Sequence, residues 1–424
     1  MRESSLRSVR TQSGAACRSR LRKRAAIEPV RQDGQSATNG PGSGVNVTGV
    51  AMLREENDVS ARIADAIAEA DNWLPYARYM EMALYAPGVG YYSGRLRKFG
   101  AAGDFVTSSG ISGLFGATVA RQVVEICTAA GPHVLEFGAG TGALATDILN
   151  ASDAAIETYS ILELSPVLRQ RQQVTLAERA PRYADRVQWL DTLPARFSGC
   201  IIANEVLDAM PVHLLHWAED GLLERGVTLR GNELMLADRP ARGTIARVGQ
   251  ALATEFGLAA GYVSEVNLAA RAWTRSLADL LETGAALLVD YGFPAAEYYH
   301  PQRSSGTLMC HYQHRAIDNP LFRPGAADIT AHVDFSAIAT AGTESGLELL
   351  GYTSQANFLI NSGITDLLAA TPASDSAAYL PLTNQANRLL SPAEMGELFK
   401  VIALGRDIDD NLLGFSRGDR RQGL

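Results

Sequence analysis

Hydrophobic positions along this chain repeat at two periods, helical at first and strand-like from the middle onward. From Asp58 the residues Val59, Ile63, Ile67 and Ala68 recur every three or four positions, and Pro75 to Tyr85 reads as a second helix. A loop rich in glycine and aromatic residues follows, Tyr85 to Ser93 and then Phe99 to Ser108, before a third helix from Ile111 to about Ala130. Such a loop suits a ligand lid or, equally, a surface loop anchored by its rings. Short apolar runs then alternate with helical stretches: strands at 134–135, 159–164, 187–190 and 200–204, with a helix over 166–180. This βαβα order predicts an α/β fold, a mostly parallel sheet whose site lies at the strand carboxyl ends.

Between Val212 and Asp238 the apolar runs are broken at Asp220-Gly221 and Gly231-Asn232, which predicts a β-meander inserted in the core. A helical segment from about Glu265 to Glu282 leads into a buried strand, Ala285 to Tyr291. The remainder offers strands at 307–312 and 347–353, helices near 334–345, 383–390 and 392–403, and a polar tail. The resulting division is a tail (1–52), an N-terminal helical and lid segment (53–132) and a core (133–424) with insertions at 212–240 and 295–335.

Composition changes this picture only at the start. Met1 to Arg31 carries nine Lys/Arg against Glu3 and Glu28, and a Gly/Ser-rich stretch follows to Gly44, so the segment lacks the apolar surface to offset its ordering entropy. Disorder is expected there. The Arg- and Ser-rich opening also resembles a mitochondrial transit peptide, although its apolar residues form no sustained helical face and the whole chain looks bacterial. With 46% hydrophobic residues and no run long enough to span a membrane, the chain should be soluble. A net charge of −8 gives no general nucleic-acid footprint. Cysteines at 17, 127, 200 and 310 share no metal or disulfide spacing, which suits a reducing compartment, a bacterial cytoplasm or alternatively the mitochondrial matrix.

The chemistry is concentrated in His133 to Asn150, a strand, a glycine turn and a helix. Gly138, Gly140 and Gly142 allow a sharp turn and close approach of a ligand to the helix N-terminus. Gly138, Gly140 and Ala143 also fit a dinucleotide fingerprint, so the glycines alone leave NAD open. Glu136 would repel a pyrophosphate but suits a cationic, amino-acid-like end, which favours S-adenosylmethionine. Glu163, ending the next strand, suits ribose hydroxyls, and Asp191 and Asn204 end the strands beside it. Glu205 and Asp208 stand three residues apart just after the fourth strand. They suit a methyl-accepting guanidinium, or simply cap a helix. His311, His314 and His332 lack a local carboxylate or cysteine set, so no metal site is expected.

The chain resembles the MidA family of S-adenosylmethionine-dependent methyltransferases from about Asp58 to Gly418. The resemblance rests on Tyr91-Tyr92, Gly103-Asp104-Phe105-Val106-Thr107, the 136–142 turn, Asn204-Glu205 with Asp208, Asp290-Tyr291, the 306–314 stretch and Ala327-Asp328 with His332. It implies a Rossmann-like class I methyltransferase core with N-terminal helices and insertions. It adds Asp104 and Thr107 to the cofactor contacts, and it implies a protein arginine as substrate, as in mitochondrial members that act in respiratory complex I assembly. One departure concerns the loop after Thr107, where the family usually has Pro-Glu and this chain has Ser108-Ser109-Gly110-Ile111. Either Asp104 substitutes for the missing carboxylate or binding is weaker. A cofactor-binding assembly factor without turnover and a nicotinamide oxidoreductase are the competing readings.

Overall fold

The computed structural model describes residues 47–94 and 108–424. The disorder expected of the tail concerns, up to residue 46, positions outside this set. Seven strands form the central sheet: β1 (His133–Phe137), β2 (Thr158–Leu162), β3 (Val187–Leu190), β4 (Phe197–Asn204), β5 (Leu281–Phe293), β6 (Glu348–Ser354) and β7 (Phe399–Arg406). Their order is β6-β7-β5-β4-β1-β2-β3, with an eighth, two-residue strand, Val333–Asp334, paired to the end of β5. β1 to β5 run parallel in their pairings, and β7 runs antiparallel to both β5 and β6.

Both faces of this sheet are covered, which is why its central strands read as unbroken apolar runs. On β5, Ala285, Leu287 and Val289 pack towards the helices Gly113–Ala130 and Ala143–Ser152, while Ala286 and Leu288 pack towards Leu268–Leu280 and Phe335–Thr343. Gly199 on β4 and Gly284 on β5 face each other across the ladder with φ of +133° and +122°. A Cβ on Gly284 would sit 2.0 Å from the Gly199 carbonyl oxygen, so the register tolerates no side chain there.

A second, antiparallel sheet joins Leu74–Pro75, Gly221–Arg230, His213–Ala218 and Tyr262–Val266, with Glu233–Pro240 alongside Gly221–Arg230. Val59, Ile63 and Ile67 are fully buried between the first two helices and this sheet, but Ala68 is exposed. That first helix, Val47–Glu69, begins ahead of Asp58.

The largest departure from the sequence reading is the stretch expected to be a helix over 392–403. Phe399–Arg406 is the strand β7, because β-branched Val401 and Ile402 lie in a run buried on both faces, and periodicity cannot tell such a run from a buried helix. The helix expected from Glu265 starts at Leu268. Glu265 belongs to the strand Tyr262–Val266, and Asn267 caps the helix by accepting from the Ala270 N–H. A helix at Gly243–Phe256, covering the second sheet through Ile245 and Leu252, had no counterpart in the sequence reading. The polar C-terminal segment is anchored, with Leu412 and Phe415 buried and Asp419 accepting from the Tyr352 N–H.

Gly284→Ala should lower stability by about 1–3 kcal/mol, because the methyl meets rigid backbone and the residue keeps a positive φ. A reduced urea midpoint with an unchanged slope would check this.

Candidate active site

A cavity of about 1980 Å³ opens where β1, β2 and β4 end. This exceeds the roughly 300–1,000 Å³ of ordinary small-molecule pockets, so it has room for a cofactor and an inserted side chain together. The 136–141 turn, Glu163 and the 204–211 loop line one side; Tyr85, Tyr91, Tyr92 and Asp328 line another.

The three glycines of the turn all have positive φ but do different jobs. A Cβ on Gly140 would meet nothing within 4 Å, because it would enter the cavity. A Cβ on Gly138 would approach Val206, and one on Gly142 would lie 3.2 Å from Gln172. Gly142 is therefore the left-handed N-cap that lets the helix Ala143–Ser152 pack on its neighbour, and it is not among the described lining residues.

Glu136 is buried, and its Oε2 accepts from the Tyr159 hydroxyl at 2.8 Å. Burial pushes its carboxyl up to about 8 against that hydrogen bond, and the charge of Glu163 adds to the rise. A cationic ligand would reverse the shift. Glu163 is also buried; it accepts from the Ser165 N–H and from Gln172 Nε2, both at 2.9 Å. Gln172 further donates to the Gly140 carbonyl and accepts from the Trp189 indole. The sequence reading missed Gln172, since only folding brings its helix, Pro166–Arg179, over the turn.

Asp191 is not among the described residues that line the cavity. Its side chain is 85% exposed and pairs with Arg169 at 2.8 Å, and Arg169 also donates to the carbonyls of Glu163 and Leu190. With β3 at the sheet edge, Asp191 braces the two strand ends from outside the described lining. Asp104 and Thr107 lie outside the described residues; Gly110 and Ile111, within the stretch that departs from the family's Pro-Glu, line the cavity.

Asn204, Glu205 and Asp208 all reach the cavity. Asn204 Nδ2 donates to Glu205 Oε1 at 3.1 Å, while its own Oδ1 is buried with no described hydrogen-bond partner. Glu205 adopts a φ of +55°, an uncommon conformation for a non-glycine residue and one that recurs at functional sites. Asp290, left aside in the sequence reading, has a purely positioning geometry: its Oδ2 accepts from the N–H groups of Val206, Leu207 and Asp208 at 2.9–3.2 Å. Burial raises its carboxyl well above the usual range, helped by the charges of Asp208 and Glu205. Asp208 is raised too, by burial, although the Tyr291 hydroxyl donates to its Oδ2 at 2.5 Å. Asp328, also left aside, accepts from the Tyr92 hydroxyl at 2.9 Å on the cavity wall.

The three histidines are dispersed. His311 lies on a strand, His314 lies in the following turn with φ +61°, and His332 stacks on Phe293, its pKa lowered to about 4 chiefly by burial. Among the described residues no cluster could hold a metal ion.

A glycine turn open to a cavity, a buried acid before it and a second at the next strand end define a nucleoside-type site in an α/β enzyme. The model of a family described as S-adenosyl-L-methionine-dependent methyltransferases matches residues 118–353, and the chain belongs to this family, the MidA methyltransferases. It is 30% identical to the mouse mitochondrial protein arginine methyltransferase NDUFAF7 over 78% of this chain and 80% of that one. The zebrafish counterpart is 28% identical, over 78% and 83%. A crystal structure from Burkholderia thailandensis, bound to S-adenosyl-homocysteine, is 49% identical with a TM-score of 0.85, covering 91% of this chain and all of that one. This protein is an S-adenosylmethionine-dependent methyltransferase.

Two outcomes follow for the glycine-turn side of the cavity. Gly140→Val should stay folded by circular dichroism and lose measurable S-adenosyl-homocysteine binding by calorimetry, since its side chain fills cavity space. At pH 7 the wild-type protein should release a proton on binding, because the Glu136 carboxyl, raised to about 8 without ligand, ionises beside a cation. Affinity should then climb with pH up to about 8 and level off above it. Identical apparent enthalpies in buffers of different ionisation enthalpy would refute the proton release.

Proposed function

We propose that the enzyme methylates an arginine side chain presented by a partner protein, with Glu205 and Asp208 gripping the guanidinium. The carrying observation is that both carboxylates line the cavity of the glycine turn, held by the Asp290 tether and walled by Tyr85 and Tyr92. The names of the mitochondrial relatives support arginine as the acceptor. A respiratory complex I subunit is the partner that the family resemblance implies. On this reading β1–β7 form a Rossmann-like class I core, residues 53–132 a helical and lid segment, and 212–240 and 295–335 insertions.

The cofactor half fits the group that the family implies. Gly140 leaves open space, the Glu136 carboxyl is raised until a cation faces it, and Asn204 Oδ1 is a buried acceptor awaiting a donor. Glu136 and the backbone of the turn would hold the methionine end, Glu163 the ribose, and Asn204 the path between. When bound, S-adenosylmethionine supplies an electrophilic methyl on a sulfonium. The chain's own task is alignment. Glu205 and Asp208 accept from the guanidinium fork and turn one nitrogen towards the methyl; the Tyr291 hydroxyl fixes the Asp208 carboxylate, and Tyr85 and Tyr92 exclude water. A lysine or hydroxyl acceptor would need no such paired acceptors.

The free, buried state of Cys127, Cys200 and Cys310 supports a reducing compartment, and among the described residues no helix is long and apolar enough to cross a membrane.

Glu205→Gln and Asp208→Asn should keep S-adenosyl-homocysteine affinity within a few-fold. Transfer from labelled cofactor into an extract of cells lacking the gene should fall by about 10²-fold or more. Methyllysine as the product by mass spectrometry, or full transfer by both variants, would overturn the assignment. Because burial raises Asp208, transfer by the wild-type enzyme should weaken on the acid side at a pH above the ordinary aspartate range, as the carboxylate takes up a proton.

A further inference from the structure

His213 opens the strand His213–Ala218 and is the single histidine among the described residues lining the cavity, on the wall that also carries Asp208, Met210 and Pro211. Its Nδ1 lies 2.7 Å from Oε1 of Glu224 on the antiparallel neighbour Gly221–Arg230. A carboxylate only accepts, so this contact keeps the ring proton on Nδ1 and leaves Nε2 with a lone pair. No described group bonds Nε2, and it is not among the buried atoms lacking a partner, so it is accessible on a residue that lines the cavity. The next histidine on the strand provides the contrast. His216 also meets a carboxylate, Asp238 at 2.8 Å, but Arg225 grips the same carboxylate with two bonds and the ring is not part of the cavity wall. His216 belongs to a charge network on the sheet; His213 has the geometry of an oriented base.

We propose that His213, oriented by Glu224, is the proton acceptor of methyl transfer. The inference rests on the reading of Glu205 and Asp208 as the acceptor-side grip. In the transfer, a nitrogen–carbon bond forms, the carbon–sulfur bond breaks with its electron pair going to sulfur, and the attacking nitrogen, still part of a cationic guanidinium, loses one proton. The two carboxylates are engaged in holding the fork, and Asp208 already accepts from Tyr291. His213 Nε2 takes the proton, Glu224 stabilises the imidazolium, and the proton then leaves through the open cavity to solvent.

Three measurements on the full chain test this. Nitrogen-detected NMR of the ligand-free protein should find the His213 proton on Nδ1 in the wild type and a mixture of tautomers in Glu224→Gln. His213→Ala should bind S-adenosyl-homocysteine normally yet lose about 10²-fold in transfer into the extract of cells lacking the gene, and free imidazole should restore part of that loss. If the alanine variant fails to fold, His213→Gln, which keeps the bulk but cannot take a proton, should show the same loss without unfolding. Wild-type transfer by a folded His213 variant, a loss that imidazole does not restore, or a wild-type ring protonated on Nε2 would overturn the proposal. The two readings fail separately: methylarginine with an unimpaired His213 variant removes only the dyad, whereas imidazole-restored methylation of another side chain removes only the guanidinium grip.

Discussion

The carboxylate of Asp290 is the constraint on which the 204–208 wall of the cavity depends. It ends the most buried stretch of β5, and its Oδ2 gathers three successive backbone N–H groups while Oδ1 takes the Tyr291 N–H. A loop following a parallel strand would otherwise have its N–H groups unpaired in a dry interior, at a cost of about 1–3 kcal/mol each. One carboxylate meets that need and fixes the course of the chain through 206–208. Glu205 can then hold a left-handed conformation, with its own N–H bonded to the Val289 carbonyl. Strain of this kind persists only where the surroundings over-determine it.

The glycine-turn side of the cavity is organised by an amide rather than a charge. Gln172 touches the Gly140 carbonyl, the Glu163 carboxylate and the Trp189 indole, so the glycine turn, the end of β2 and the edge strand β3 share one side chain. Gly142 is the geometric condition for this contact, since a Cβ there would meet Gln172 itself. The spacing of the glycine turn thus combines two demands: open space for a ligand at Gly140 and close helix packing at Gly142.

What could be read from the sequence followed from local patterns. The strands β1 to β5, the helix Pro166–Arg179 and the meander are each written in periodicity and turn residues, and Glu136, Glu163, Asn204, Glu205 and Asp208 could be named because a parallel strand delivers its final residues to one sheet edge. The misses are non-local. Buried on both faces, β7 carries no polar face to reveal its period. Asp191 follows a strand end like its neighbours, but an edge strand leaves that position open to solvent and to Arg169. Gln172 and the His213–Glu224 contact depend on which helix or strand comes to lie alongside, and no spacing in the chain encodes that.

The electrostatics of the cavity bind these parts together. Glu136, Glu163, Asp208 and Asp328 are buried and line one cavity, Asp290 is buried against the 206–208 backbone, and for Glu136, Glu163, Asp208 and Asp290 burial raises the carboxyl above its usual range. Ligand-free, such a set is held apart in two ways: hydroxyls from Tyr159, Tyr291 and Tyr92 donate to three of its members, and some carboxyls retain their protons. A ligand that brings a cation relieves the desolvation cost in each half of the cavity. Within each group the charges add to the shift, Glu163 to that of Glu136 and Asp208 with Glu205 to that of Asp290, so a cation seated beside either group lowers the repulsion within it and leaves its carboxyls ionised. A neutral acceptor would forgo that gain, which is the physical reason for proposing a permanently charged guanidinium as the acceptor.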